Sequence, residues 1–173
     1  MMNFLLDDKR YVALVGLTGC GKTTFANLLA GKLGLKVLDT DDMIVEMSGQ
    51  TIPELFEISE SHFRDWEEKA LASIAPDDNL VVACGGGIVL REANREILGK
   101  RAIVVYIDRP PELIVSQIDT TGRPLLKTGA EQVFRLHEER KSLYEEVADV
   151  IIPNDSTIEA ALQLMVDAIE FLL

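Results

Sequence analysis

Basic residues are scarce in this 173-residue sequence, and their scarcity excludes one class of partner. Seventeen lysines and arginines stand against 29 aspartates and glutamates, so the formal net charge is −12 at pH 7. Proteins that bind nucleic acid or an anionic membrane surface need clustered Lys and Arg. We therefore expect neither partner, and an anionic ligand would have to be held by a few local cations.

Cysteines and long apolar runs are scarce as well. Cys20 and Cys84 are the only cysteines, too few for a disulfide framework and without the spacing of metal ligands. No apolar run approaches the roughly 20 residues of a membrane-spanning helix, and the first ten residues lack the apolar core of a signal peptide. These absences predict a cytoplasmic protein that is neither secreted nor inserted in a membrane.

What the sequence does have is a repeated alternation of short apolar runs and longer helical patterns. The length suits one domain covering residues 1–173, because no repeat, low-complexity tract or linker divides the chain. Near-continuous apolar runs are typical of parallel strands that are covered on both faces, so we predict an α/β fold. The five predicted strands are residues 11–15, 36–38, 80–83, 102–107 and 150–152.

Longer segments connect these predicted strands. Residues 42–75 form a helical region that is long for a plain crossover, and residues 130–147 and 157–173 predict two later helices. Pro110 and Pro111 predict the first turn of another helix. Residues 120–129 have glycines near both ends and little periodicity, which is typical of a mobile lid. We place this lid at about residues 120–130.

The most specific motif directly follows the first predicted strand. Gly16, Gly21, Lys22 and Thr23 have the spacing G-x-x-x-x-G-K-[ST] of a phosphate-binding loop between a strand and a helix. Its glycines let backbone N–H groups turn inward on an anion, and the helix N-terminus points its unpaired amides at the same place. In such loops the lysine reaches the β- and γ-phosphates and the threonine is a ligand of Mg²⁺. The motif predicts a nucleoside-triphosphate site.

Three aspartates follow the second predicted strand, at the sheet edge where α/β proteins bind ligands. In one interpretation Asp39 and Asp41 face the site, because residues two apart in an extended chain point the same way, and Asp42 caps the next helix. In the other, the aspartates only cap that helix. The spacing leaves both interpretations open.

Three consecutive glycines, Gly85, Gly86 and Gly87, follow Cys84 at the same edge. Three glycines remove every side chain, so a ligand could approach the backbone closely; the alternative is a loose turn. Cys84 has no neighbouring base, so we interpret it as a small buried residue. Cys20 lies at a helix N-terminus, which can lower the pKa of a thiol, and we interpret it as a small filler of the loop.

Three arginines are candidate ligands of an anion. Arg64 lies at the edge of an apolar helical face, where it could instead form a surface ion pair with Glu60 or Glu68. Arg140 lies near the centre of the inward face of the predicted helix 130–147, where a guanidinium needs a buried partner or an anionic ligand. Arg123, within the predicted lid, is either a solvated loop residue or one that covers the triphosphate.

Together these segments resemble the shikimate kinase family, in that family's order and along nearly the whole chain. The matching segments are GLTGCGKTT at 16–24, DTD at 39–41, FRDWE at 63–67, GGG at 85–87, GRPLL at 122–126 and RKSLYEEVAD at 140–149. The resemblance implies a three-layer P-loop kinase fold with a five-stranded parallel sheet in the order 2-3-1-4-5 and a mobile lid. It also implies a monomer that transfers the γ-phosphoryl group of ATP to the 3-hydroxyl of shikimate, toward chorismate and the aromatic amino acids.

The resemblance further implies roles for single residues. Lys22, Asp41 and Arg123 would be catalytic, and Thr23 and Asp39 would lie at Mg²⁺. The implied ATP ligands are Gly19, Cys20, Gly21, Lys22, Thr23, Thr24 and Arg123. The implied shikimate ligands are Asp41, Arg64, Gly85, Gly86, Gly87 and Arg140. Pro153, Asn154 and Asp155 stand where many family members have a basic segment near the nucleotide.

Two other functions stay open from the sequence. Another small-metabolite kinase of the same fold, such as a gluconate kinase, would have less need for two arginines that bind a carboxylate. A kinase-like binding protein without turnover would be indicated by the loss of Lys22, Asp41, Arg123 or Arg140, and all four are present.

Overall fold

The computed structural model describes residues 10–77, 79–120 and 127–172. Within them a five-stranded sheet runs in the order β2-β3-β1-β4-β5, and all neighbouring strands are parallel. The predicted sheet is therefore confirmed, and each strand extends at most one residue beyond its predicted run. The strands are β1 (Tyr11–Val15), β2 (Lys36–Asp39), β3 (Leu80–Ala83), β4 (Ala102–Asp108) and β5 (Val150–Pro153).

Helices connect the strands and cover the sheet. The predicted helical region 42–75 consists of three helices, which are separated at Gly49 and Ser59. The helix over 92–101 was not singled out from the sequence, and the one predicted over 130–147 begins three residues earlier. The helices are α1 (Lys22–Leu33), α2 (Thr40–Ser48), α3 (Ile52–Ile58), α4 (Glu60–Ser73), α5 (Glu92–Arg101), α6 (Pro111–Thr120), α7 (Lys127–Val147) and α8 (Ile158–Leu172).

The main hydrophobic core lies along the central strands. All five residues of β1 are buried, because β3 and β4 flank it and helices pack on the sheet. Helices α1 and α8 contact each other and form one group. Helix α5 contacts α4 and α7, and these three form a second group. Two helical layers around a sheet explain why the strands read as continuous apolar runs. Among the described residues, no helix combines the length and apolar character needed to cross a membrane.

A second, smaller core belongs to α2, α3 and α4. It consists of Ile44, Leu55, Phe63 and Ala70. Leu71 of α4 and Ile74, which caps its C-terminus, extend into the main core. The apolar face predicted from the sequence for this helix therefore packs against the two cores, through Phe63, Trp66, Ala70, Leu71 and Ile74. The same helix buries two charged residues, Arg64 and Glu67, and it thereby brings charge to the sheet edge.

Candidate active site

The carboxyl ends of the strands meet a cavity of about 500 Å³. Because β1 is central, the loop that follows it forms the middle of the cavity. Asp41 and Gly85 follow β2 and β3 on one side, whereas Arg109 and Asn154 follow β4 and β5 on the other. The sheet order therefore divides the cavity into two ends that share the phosphate loop.

The phosphate loop has the backbone that its glycines permit. Gly16, Gly19 and Gly21 have φ angles of 149°, 88° and 107°, in the region that side chains disfavour. A β-carbon on Gly16 would lie 2.7 Å from the Cys20 Sγ and 2.8 Å from a backbone oxygen of β4. The Lys22 Nζ donates to the carbonyl oxygen of Gly16 at 2.6 Å and to the next carbonyl at 2.9 Å. The ammonium group of Lys22 therefore lies against the first two residues of the loop.

Both cysteines are buried. Burial raises the pKa of the Cys20 thiol, although Lys22 lowers it in part, and burial raises the pKa of Cys84 to about 12. Since the thiolate is the reactive form of cysteine, both residues suit the packing roles predicted from the sequence.

The carboxylate of Asp39 caps α2. Its Oδ1 accepts hydrogen bonds from the backbone N–H of Asp41 at 2.8 Å and of Asp42 at 3.4 Å. The prediction that Asp42 is the cap was wrong, because α2 begins at Thr40, directly after β2, and Asp42 lies in the first turn. Asp41 is also helical, so the argument from an extended chain does not apply to it.

The Asp41 side chain nevertheless reaches the cavity. Its Oδ1 lies 3.1 Å from the place of a β-carbon on Gly85. Partial withdrawal from water raises the pKa of Asp41, the charge of Asp39 raises it further, and the ammonium of Lys22 lowers it. The residue remains exposed as a whole, so its carboxylate is accessible from the cavity and lies within the field of Lys22.

Each glycine of the segment 85–87 lies against a charged side chain. A β-carbon on Gly86 would stand 3.0 Å from the Thr18 Oγ1 and 3.5 Å from Arg140 Nη1, and one on Gly87 would overlap the guanidinium of Arg64. A loose turn would not need three such close approaches. The segment therefore passes next to both arginines.

Arg64 is only 9% exposed. It pairs with Glu67 at 2.9 Å and with the exposed Glu60 at 3.3 Å. The alternative partner Glu68 was wrong, because that carboxylate binds Arg91 instead. In the described part of the chain, the buried Nε of Arg64 has no hydrogen-bond partner.

Glu67 is a residue that sequence reasoning missed. It is 1% exposed, and one of its oxygens binds Arg64, whereas Oε2 has no hydrogen-bond partner among the described residues. Burial raises the pKa of Glu67, and Arg64 lowers it in part. Its position three residues after Arg64 on one helix was the available signal.

Arg140 and Tyr144 face inward from α7, whose apolar residues pack against the main core as predicted. Tyr144 is fully buried, and its hydroxyl donates to the carbonyl oxygen of Gly86 at 2.5 Å. Burial raises the pKa of Tyr144 to about 12, and the charge of Arg140 lowers it in part. The buried Nε of Arg140 has no partner within the described ranges. The charge of Arg140 also lowers the pKa of Glu67, by less than that of Arg64.

Asn154 connects the far end of the cavity to the phosphate loop. It is 5% exposed, its Nδ2 donates to the carbonyl oxygen of Cys20 at 3.0 Å, and its own carbonyl accepts from Arg109 at 3.1 Å. Sequence reasoning noted this segment only as a departure from the family pattern. No local signal could reveal a contact across 134 positions.

The last predicted residues are two threonines that line the cavity and the arginine of the predicted lid. Thr23 and Thr24 are exposed at the start of α1, and Arg123 lies outside the described residues. In the parts of the chain that are described, no group of three or more His, Cys, Asp or Glu side chains could hold a metal by itself.

Comparison with known proteins gives one consistent result. The family model described as shikimate kinase matches residues 18–170. A shikimate kinase of Clostridium botulinum (strain Alaska E43 / Type E3) is 43% identical over 155 residues, which are 90% of this chain and 94% of the relative. One of Clostridium beijerinckii is 41% identical over 87% of this chain and 89% of the relative.

Solved structures agree with these sequence relatives. The shikimate kinase of Acinetobacter baumannii in complex with shikimate is similar with a TM-score of 0.81 and 35% identity, over 94% of this chain and 92% of that one. The enzyme of Bacteroides thetaiotaomicron is similar with a TM-score of 0.83 and 26% identity, over 93% and 98%. This chain belongs to the shikimate kinase family.

Proposed function

We propose that this chain transfers the γ-phosphoryl group of ATP to the 3-hydroxyl group of shikimate, giving shikimate 3-phosphate and ADP, a step toward chorismate and the aromatic amino acids. One observation carries the proposal. A phosphate loop shares its cavity with Asp41, and the adjoining glycine segment meets two arginines whose Nε atoms are buried. Such a site suits a donor with several phosphates and an acceptor with both hydroxyls and a carboxylate.

The phosphate loop is the donor side of this proposal. The backbone from Gly19 to Thr24 holds the phosphates at the N-terminus of α1, where unpaired amides and the helix dipole favour an anion. Lys22 exchanges its two loop carbonyls for phosphate oxygens. Arg109 and Asn154 line the cavity on the opposite side of the loop from Asp41. The adenosine end of ATP binds in that part of the cavity.

The acceptor side matches the charge of shikimate. Arg64 pairs with the buried Glu67 and with the exposed Glu60. Within the described ranges the buried Nε of Arg140 has no hydrogen-bond partner, and a substrate carboxylate would supply one. Guanidinium groups suit this role because their planar fork binds both carboxylate oxygens. The amide of Gly86 and the carboxylate of Asp41 complete the acceptor side, and Asp41 binds substrate hydroxyls.

Positioning contributes more to this reaction than proton removal does. Phosphoryl transfer passes through a loose transition state, so the main requirements are alignment of the hydroxyl with the γ-phosphorus and stabilisation of the phosphoryl oxygens. Asp41 orients the reacting hydroxyl and accepts its proton as the bond to phosphorus forms. Its raised pKa makes it a better acceptor than an ordinary aspartate. Arg123 of the lid stabilises charge on the phosphates.

The residues present also fit Mg²⁺. The Thr23 hydroxyl and the Asp39 carboxylate are hard oxygen donors, and magnesium in kinases takes only one or two protein ligands beside phosphates and water. When bound, Mg²⁺ offsets the charge of the β- and γ-phosphates. The proposal includes one domain over residues 1–173, with an acceptor-binding helical region at about 42–75 and a lid at about 120–130, and a monomer in the cytoplasm.

The test is ADP release from Mg·ATP with shikimate, with gluconate, and with neither. We expect release that depends on shikimate and a product that carries its phosphate on the 3-hydroxyl, as phosphorus NMR would show. Release with gluconate alone would support the other small-metabolite kinase. Nucleotide binding without turnover on either acid would support a binding protein and overturn the proposal.

A further inference from the structure

We infer that Thr40 and Tyr144 are positioning residues that hold the glycine segment 85–87 in the orientation in which its amides meet the acceptor substrate. The inference rests on the proposed function and deepens it, because it names two residues outside the predicted site that set the geometry of that site. Both side chains are fully buried, and each forms a hydrogen bond to a different peptide group of the segment.

Three consecutive glycines need such support. Glycine reaches more backbone conformations than any other residue, so ordering it costs the most conformational entropy. Segment 85–87 has no side chains of its own through which it could pack. Its conformation must therefore be imposed by neighbouring elements, and the hydrogen bonds to its peptide groups are where this occurs.

Thr40 fixes the first peptide group. Its Oγ1 accepts a hydrogen bond from the N–H of Gly85 at 2.9 Å. Thr40 is the first residue of α2 and stands between Asp39 and Asp41. The same hydrogen bond therefore sets the distance between the glycine segment and the helix turn that carries Asp41.

The backbone of Ile88, directly after the segment, fixes the second peptide group, and Tyr144 fixes the third. The N–H of Ile88 donates to the carbonyl of Gly85 at 3.0 Å, and the Tyr144 hydroxyl donates to the carbonyl of Gly86. In a trans peptide the C=O and the following N–H point in opposite directions. A fixed Gly85 carbonyl therefore orients the N–H of Gly86, and a fixed Gly86 carbonyl orients that of Gly87.

Tyr144 also joins this segment to a cation of the site. The charge of Arg140 acts on the Tyr144 hydroxyl and lowers its pKa in part. The hydroxyl has a single proton, which it donates to the Gly86 carbonyl. Tyr144 therefore lies between Arg140 and a backbone peptide, both of which the proposed function assigns to the acceptor.

The chain offers matched variants for a test. Tyr144→Phe removes only the hydroxyl, and Tyr106→Phe is its control, because Tyr106 stacks on Tyr144 with ring centroids 5.1 Å apart while its hydroxyl faces Asp108. Thr40→Val removes the acceptor but keeps the branched shape, and Thr40→Ser retains the hydroxyl.

The main readout is a comparison of KM values in the proposed assay. We expect Tyr144→Phe and Thr40→Val each to raise the KM for shikimate roughly tenfold, the effect of losing one buried hydrogen bond, while the KM for ATP changes less than about twofold. Tyr106→Phe and Thr40→Ser should stay close to the parent. An equal rise in both KM values, or none, would overturn the inference.

A second readout does not need turnover. Amide hydrogen exchange of the peptide that covers residues 84–90 should be faster in Tyr144→Phe than in Tyr106→Phe, at equal thermal midpoints. Unchanged exchange would overturn the inference even if the parent phosphorylates shikimate. If the parent has no shikimate-dependent activity but exchange is still faster in Tyr144→Phe, the hydrogen bond remains a determinant of the segment's conformation. That result would reject only the proposed function.

Discussion

The guanidinium group of Arg64 occupies the space that a β-carbon on Gly87 would fill. This relationship joins two segments of the site that are 23 positions apart in the sequence. It also explains why position 87 is a glycine, since the backbone there must leave room for a buried cation.

Gly87→Ala should therefore displace Arg64 and weaken binding of the acid. We expect the shikimate KM to rise about tenfold or more, as for the loss of a charge-assisted contact, with little change for ATP. Gly99→Ala is the matched control, because nothing lies within 4 Å of its added carbon and alanine in a helix is favoured by about 0.5–1 kcal/mol. Steady-state kinetics and thermal unfolding of both variants distinguish the two effects.

Glu67 should make stability depend on pH in a defined direction. Burial raises its pKa above the ordinary 4.5, so the folded state binds the proton more tightly than the unfolded state. The free energy of unfolding then falls as the pH rises from about 4.5 through the folded pKa. Glu67→Gln should flatten this decline in urea titrations at several pH values. The exposed Glu139→Gln should leave the slope as in the parent, and equal slopes in all three proteins would contradict the prediction.

Arg140→Ala should raise the KM for shikimate far more than the KM for ATP. Removing one partner from a buried charged contact costs about 2–5 kcal/mol, which corresponds to a rise of roughly 30-fold or more. Arg135→Ala is the control on the same helix, where the side chain is 63% exposed and pairs only loosely with Glu139. Similar increases in the KM values for shikimate and ATP would contradict the assignment of Arg140 to the shikimate carboxylate.

Lys22→Ala should reduce kcat by at least about 100-fold, the usual effect of removing one preorganised group from a transition state. The fold should persist, because β1 and α1 are held by the main core. Lys32→Ala, on an exposed part of the last turn of the same helix, should retain full activity. Substantial turnover by a folded Lys22→Ala protein would contradict the role of the loop.

Asn154→Ala should act at the opposite end of the cavity from Arg140→Ala. The variant leaves the carbonyl of Cys20 without its amide donor, which loosens the loop that holds the phosphates. We expect a roughly tenfold rise in the KM for ATP, the size of one lost buried hydrogen bond, and little change for shikimate. Asp155→Ala, at an exposed neighbouring position, should be neutral. A rise confined to shikimate would refute this role.

The sheet, and most of the residues at the carboxyl ends of its strands, could be predicted from the sequence because their signals are local. A strand buried on both faces shows a continuous apolar run, and a phosphate loop is a fixed spacing of glycines and one lysine. Thr40 and Asn154 carried no such signal, because each matters through partners brought close only by tertiary packing. Glu67 did carry a local signal, its spacing of three residues from Arg64 on one helix. Asp42 was misassigned for a different reason: helix α2 begins directly after β2, without the short loop that a cap at Asp42 requires.

The small core of α2, α3 and α4 has a consequence for how this fold can diversify. Its four buried residues pack mainly with one another, whereas the phosphate loop follows the strand at the centre of the main core. Substitutions of these four residues therefore act first on the three helices and on the charged side chains that α4 brings to the site. A designer who seeks a new alcohol acceptor would start from this small core and keep Thr40, Asp41 and the sheet, together with Leu71, which packs in the main core.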